Sequence, residues 1–257
     1  MANWTAFPYA GEYFFDADSV RKHWARLHAG DAEPLPQDDS VLQAWALFHS
    51  GEFQNALNMG LSIGGDGLTV ANKAACIYAT YLEKTEKKRL DLYMEVVRRA
   101  QAQAQENPNN VNAHYWQAYA LGRYSQSISV AKALAQGLAT QVKDALENVI
   151  KLQPNHADAH IALGAFHADV IDKVGSLIGG MTYGAKKDTG LALLQAALKL
   201  NFESAIGMIE YAHAMVMLDG ETMMTQAAAL YQRAAQAEPM DAMERLDVEK
   251  AKNELID

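Results

Sequence analysis

Apolar residues recur every three to four positions along most of this chain, and no stretch alternates Val, Ile or Thr with polar residues over six positions. A spacing of three to four lines one face of an α-helix, whereas strict alternation marks a strand. Alanine, the best helix former, supplies roughly one residue in six. Of the six prolines, Pro8, Pro34 and Pro36 stand early, while Pro108, Pro154 and Pro239 each follow one periodic segment and precede another. That is where helix punctuation belongs. The pattern predicts an all-α fold.

Three junctions resemble one another: QENPNNVNAHYWQAYALGR, LQPNHADAHIALGAFHAD and LNFESAIGMIEYAHAMVM. Each ends one amphipathic helix, turns at Pro108, Pro154 or Phe202, and starts the next; Ala113-His114 and Ala159-His160 fall at equal offsets from their prolines. Earlier, the run from Trp45 to Leu57 holds Gly51-Glu52-Phe53 followed by Ala56-Leu57. It resembles the intra-repeat turn of tetratricopeptide proteins. Gly51 lets the chain reverse, Phe53 packs back across the turn, and Ala56 is small where the helices come closest. The turn points lie further apart than the ~34 residues of an ideal repeat, so helices are lengthened or loops enlarged. The expected architecture is an irregular tetratricopeptide-like stack of antiparallel helical hairpins, about 10–12 helices in all. Residues 1–38 read as an aromatic arm (Trp4, Phe7, Tyr9, Tyr13, Phe14, Phe15) plus a short helix docked on the body, and residues 39–257 as a single helical-repeat domain.

From Asn112 onward the order is an Ala-His-x-Trp helix ending in Leu-Gly, a Leu-x-Pro turn, a Leu-Gly helix, a Gly-rich insertion and an Ala-Leu helix. Over residues 112–250 this resembles the regulator-of-microtubule-dynamics family and the T component of tripartite periplasmic transporters. It is also similar to bacterial proteins ending in an acidic helix, here Asp241 to Val248. The resemblance implies enlarged hairpins that close on themselves more than an open solenoid does.

Charge narrows the partners. With 22 Lys+Arg against 31 Asp+Glu the 257-residue chain carries a formal charge of −9, which argues against nucleic acid, since phosphate contacts need surplus Lys and Arg. No positive, apolar leader opens the sequence and no apolar run reaches the ~20 residues of a membrane span. A cytoplasmic protein without membrane insertion is expected. The single cysteine, Cys76, lies in an apolar helical run and reads as an inert buried thiol.

No cofactor or metal is expected. His156, His160 and His167 share a helix side, but seven residues separate the last two, roughly 10 Å along the axis, so packing and hydrogen bonding are favoured over ligation. The Gly-rich stretch 175–187 lacks the Lys of a phosphate loop. It reads as a long elbow within one hairpin, with Leu177, Ile178 and Met181 apolar enough to tuck into a cavity and Tyr183 beside them. Asp38-Asp39 read as helix-start residues, and Lys84, Lys87, Lys88, Arg89, Arg98 and Arg99 as a solvated helix pair. Asp169 and Asp172 adjoin on one helix without a cleft, and the methionines from Met208 to Met243 read as irregular core filling.

No nucleophile or acid–base constellation emerges, so the function expected is a non-enzymatic interaction module or scaffold. Its partner would be another protein's peptide or helix, bound on a concave surface made by the first helices of the hairpins; a second copy of the chain stays open as a partner. The surface residues selected are Tyr115, Tyr119, Arg123, Asp158, Ile161, Ile209 and His213, with the first three as anchors because aromatics and Arg dominate interface energetics. The rival reading is a small-molecule or lipid binder whose apolar cavity is lidded by residues 175–187.

Overall fold

The computed structural model describes residues 3–255. The helices are α1 (Ala17–Leu27), α2 (Asp39–His49), α3 (Phe53–Ile63), α4 (Gly67–Tyr81), α5 (Glu86–Glu106), α6 (Val111–Gln126), α7 (Val130–Ala135), α8 (Leu138–Leu152), α9 (Ala157–Val174), α10 (Ser176–Tyr183), α11 (Lys187–Leu200), α12 (Ala205–Asp219), α13 (Met224–Ala235) and α14 (Ala242–Glu254), with a 3-10 turn at Gly220–Met223. No strand occurs among the described residues. Two helices beyond the expected number, α7 and α10, are short and lie inside loops.

The three similar junctions fold into one device. In each, the fourth residue's N–H donates to the first residue's carbonyl: Asn110 to Asn107 at 3.0 Å, His156 to Gln153 at 3.0 Å, Ser204 to Asn201 at 3.3 Å. That fourth residue is then the N-cap. Asn110 accepts from the Ala113 N–H at 3.0 Å, His156 Nδ1 from Ala159 at 3.1 Å, and Ser204 Oγ from Gly207 at 3.0 Å. Such a cap contributes about 1 kcal/mol by satisfying an orphan amide. The long repeat intervals arise at the opposite end of the first helices: α7 lies between α6 and α8, α10 between α9 and α11, and the 3-10 turn between α12 and α13. The loops are enlarged.

The described residues form two compact units. The first contains the residues up to His28, Glu33–Leu152 and Met240–Met243. Here α2 pairs with α3, α3 with α4, α4 with α5, α5 with α6, and α6 with α8. Helix α4 is buried from Gly67 through Ala79 apart from Leu68, so both apolar and polar side chains face protein. Trp45, Phe48 and Trp116 surround the buried ammonium of Lys73, which lies 5.4, 5.2 and 5.9 Å from their ring centroids. The aromatic arm belongs to this unit. Trp4 stacks on Tyr78 at 4.0 Å, Phe7 meets Phe53 edge-on at 6.0 Å, and Phe15 N–H donates to Ser50 Oγ; Phe14 is exposed. Gly51 adopts φ +85°, and a Cβ there would stand 2.5 Å from Phe7 Cδ1. Residues 240–243 are clasped by a buried pair, His49 Nδ1 and Asp241 Oδ2 at 2.6 Å.

The second unit contains Ala29–Ala32, Gln153–Pro239 and the described residues from Glu244 on. Helices α9 and α11 cross closely: a Cβ on Gly164 would lie 2.6 Å from Leu194 Cγ and 2.9 Å from the Gly190 carbonyl. Ile161, Ala168, Leu194, Ala197 and Ala214 form one core cluster. Ala205, Met208, Ile209, Ala234, Val248 and Ala251 form another. Methionine thus fills part of this core, while Met217 and Met224 are exposed.

Gly51→Val forces an L side chain into the left-handed region and against Phe7, and should destabilise by about 2–4 kcal/mol, measured as a lower urea midpoint. Gly51→Ala should fall between it and the parent, and an unchanged midpoint for Val would place the chain reversal elsewhere. Asp241→Ala removes the acceptor of a buried imidazole and should lower stability by about 2–4 kcal/mol, read in the same denaturation experiment.

Candidate interaction surface

Helix α4 carries polar residues three to four apart, at Thr69, Asn72, Cys76 and Thr80, and they face α5 and α6. Gln103 Nε2 donates to Thr69 Oγ1 at 3.1 Å, Asn72 Nδ2 to Gln103 Oε1 at 3.2 Å, and Arg99 Nε to Asn72 Oδ1 at 2.6 Å. Two turns further on, the Thr80 hydroxyl is shared between Tyr93 Oη at 3.0 Å and Tyr119 Oη at 3.1 Å. The ladder ends at Arg123, whose guanidinium lies 5.2 Å from the Tyr119 ring centroid and whose side chain donates to Gln126 Oε1. Burial pushes the Tyr119 phenol up, against the opposing charge of Arg123. Burial also raises the Tyr93 phenol and the Cys76 thiol, the latter opposed by Arg99 and Arg123. The thiol is therefore protonated and inert at neutral pH.

Of the residues selected from sequence, Tyr115, Tyr119 and Arg123 lie in the first unit. Tyr119 and Arg123 are half-buried and partly open to solvent. Tyr115 is only 4% exposed and packs edge-on against Trp116, so its assignment to a surface is corrected: four residues before Tyr119, it points into the core. Ile161 and Ile209 are likewise core residues of the second unit. In helices buried on more than one side, a three-to-four spacing does not tell a solvent face from a packed one. Asp158 is half-buried, and its N–H donates to the Gly30 carbonyl at 2.9 Å. His213 is half-buried, 3.6 Å from Glu254 and edge-on to Tyr231.

The tucked-in position expected for the apolar side chains of residues 175–187 also needs correction. Ser176–Tyr183 is helical, and Leu177, Ile178 and Met181 are exposed rather than tucked into a cavity; Tyr183 is half-buried. The three histidines of α9 serve backbone groups. His156 caps the helix, His160 Nδ1 donates to the His156 carbonyl at 2.9 Å, and His167 Nδ1 accepts from the Lys186 N–H at 3.1 Å. Among the described residues no group of three His, Cys, Asp or Glu is placed to hold a metal ion. Nor is the basic run a fully solvated pair: Lys84, Lys87 and Lys88 are exposed around the start of α5, but Arg99 turns inward to Asn72. The ladder partners Thr80, Tyr93, Asn72, Arg99 and Gln103 went unselected in the sequence, although the four polar positions of α4 were a readable signal.

Helical hairpins joined by capped turns define a tetratricopeptide-like repeat protein. A solved thermophilic tetratricopeptide protein of Thermus thermophilus superposes with a TM-score of 0.58 over 83% of this chain and 97% of its own, at 17% identity; that likeness is one of fold. The sequence model of the family described as regulator of microtubule dynamics protein 1-3 matches residues 43–173, about half of the chain. The chain belongs to that family. No curated protein matches it significantly. No described helix is long and apolar enough to cross a membrane.

Tyr119→Phe deletes one donor from the ladder and should cost about 1 kcal/mol, whereas Tyr119→Ala also opens a cavity and should cost about 3 kcal/mol or more, both read by chemical denaturation. In the second unit, burial first and then the charges of Glu254 and Glu210 push the Tyr231 phenol up to about 12. Its folded form holds the proton more tightly than the unfolded chain. Stability from this group is therefore complete below about pH 10 and falls as pH rises through about 12. Tyr231→Phe should flatten that alkaline loss in denaturation midpoints measured from pH 9 upward.

Proposed function

We propose that this protein is a non-enzymatic interaction scaffold that binds a peptide or helix of another protein on first-helix surfaces of its hairpins. The observation that carries the reading is the ladder across α4, α5 and α6, which ends in the Tyr119–Arg123 pair. Guanidinium and ring are held in register before any partner arrives, and preorganised aromatic–Arg anchors lose little entropy on binding. Arg123 supplies a fork for a partner carboxylate or backbone carbonyl. In the second unit the polar contacts in this reading are Asp158 and His213. Tetratricopeptide-like folds and the family membership support a scaffold of this kind.

Arg123→Ala is the decisive variant, because Arg123 lies at the ladder's end and its removal leaves the Thr80–Tyr93–Tyr119 bonds in place. Partners retained by the parent protein from its source lysate, identified by mass spectrometry, should bind the variant about tenfold more weakly or worse, with thermal unfolding little changed. A variant that keeps every partner at parental affinity removes this site from the scaffold's binding surface.

A further inference from the structure

Helix α10 is built the wrong way round for folding. Leu177, Ile178 and Met181 fall within about 100° of one another on the helical wheel, and they are 74, 56 and 82% exposed. The side turned to α9 is glycine: Gly179 is buried, and a Cβ there would lie 3.3 Å from Val170 Cγ1 and 3.8 Å from Ile171 Cγ1. The helix starts after Gly175 and stops at Gly184, which has φ +66°. The elbow is tied back to α9 through the Lys186 N–H bond to His167. A surface helix ordinarily buries its large apolar side chains and exposes its small ones; here the helix presents the large ones to the outside.

Its surroundings say what kind of phase suits it. From Lys173 to Lys187 there is no Asp or Glu, and Lys173 and Lys186 are exposed at the two ends of the segment. Lys187 is paired with Asp219, while Asp172 and Asp188 lie just outside the segment. An uncharged apolar tip with lysines and a tyrosine at its base is the composition of a segment lying at a bilayer interface. The equivalent elbow of the preceding repeat repeats the chemistry. Helix α7 exposes Val130 and Leu134, one turn apart, beside Lys132, and no acidic residue occurs between Glu106 and Asp144. A protein interface is the poorer match. Three protruding side chains fall far short of the ~20–30 residues a side of a stable protein contact, whereas insertion into an interface has no such minimum and its strength scales with the apolar area buried.

The structure assigns α10 as a membrane-docking tip, in which Leu177, Ile178 and Met181 enter the headgroup–acyl boundary of a lipid bilayer while Lys173 and Lys186 remain among the headgroups. The test uses the full chain and vesicles of phosphatidylcholine with one-fifth phosphatidylserine. The parent protein should float with the vesicles, and the combined variant Leu177→Ser, Ile178→Ser, Met181→Ser should bind about tenfold more weakly or worse. These side chains are exposed, so circular dichroism and melting should match the parent. As a second readout, Met181→Cys labelled with an environment-sensitive dye should shift to shorter wavelength on adding vesicles; buried Cys76 is shielded from the label. Absence of parent binding, equal binding by the serine variant, or an unmoved dye would each overturn the assignment. Concentration-dependent dimerisation in sedimentation, abolished by the serine variant without vesicle binding by the parent, would overturn it in favour of a second copy of the chain.

Discussion

The backbone demand at the start of each first helix governs this architecture. A helix N-terminus leaves amides without partners, and α6, α9 and α12 meet that demand with the same turn and the same cap-to-third-residue bond. The cap side chain is Asn, His or Ser, so what recurs is an acceptor atom at a fixed place rather than a residue type. With the junction constant, variation falls at each first helix's far end. There the chain inserts α7, α10 or a 3-10 turn without disturbing the junction.

Inside the first unit, several buried polar side chains are bonded to one another. The bonds among Thr69, Asn72, Arg99 and Gln103, and those of Thr80 with Tyr93 and Tyr119, tie α4 to α5 and α6 at two levels. Leaving one member unsatisfied costs more than a made bond contributes, so the ladder disfavours slipped packings more strongly than it adds net stability. Lys73 is placed by a related logic, its ammonium surrounded by aromatic rings that attract a cation through their negative faces.

What could be read in the sequence was local. The helix class, the three junctions, the Gly51 reversal and the hydrogen bonds of His156 and His160 all follow from residues within a few positions of one another, where periodicity and capping chemistry act. What could not be read was distant or contrary to propensity. His49 finds Asp241 across 192 residues, and nothing near either residue announces the other. Tyr115 and Tyr119 look equivalent on a helical wheel, yet one is core and the other half-open, because α6 packs on both α5 and α8. Helix α10 was illegible for a third reason. Gly175, Gly179, Gly180 and Gly184 argue for a loop, and the helix exists because Gly179 fits closely against Val170 and Ile171.

Folding therefore draws on only part of each repeat. Junction turns, the Gly164–Gly190 crossing and the buried part of the ladder are places where a change of one atom disturbs packing. The elbows are the reverse. Their large apolar side chains contribute little to either core, and exposing such area to water is unfavourable by about 25 cal/mol per Å². Serine or alanine at Leu177, Ile178 and Met181 would preserve the glycine-mediated contact of α10 with α9. The glycines of α10 are thus accounted for by contacts within the fold, whereas the large side chains of Leu177, Ile178 and Met181 are not.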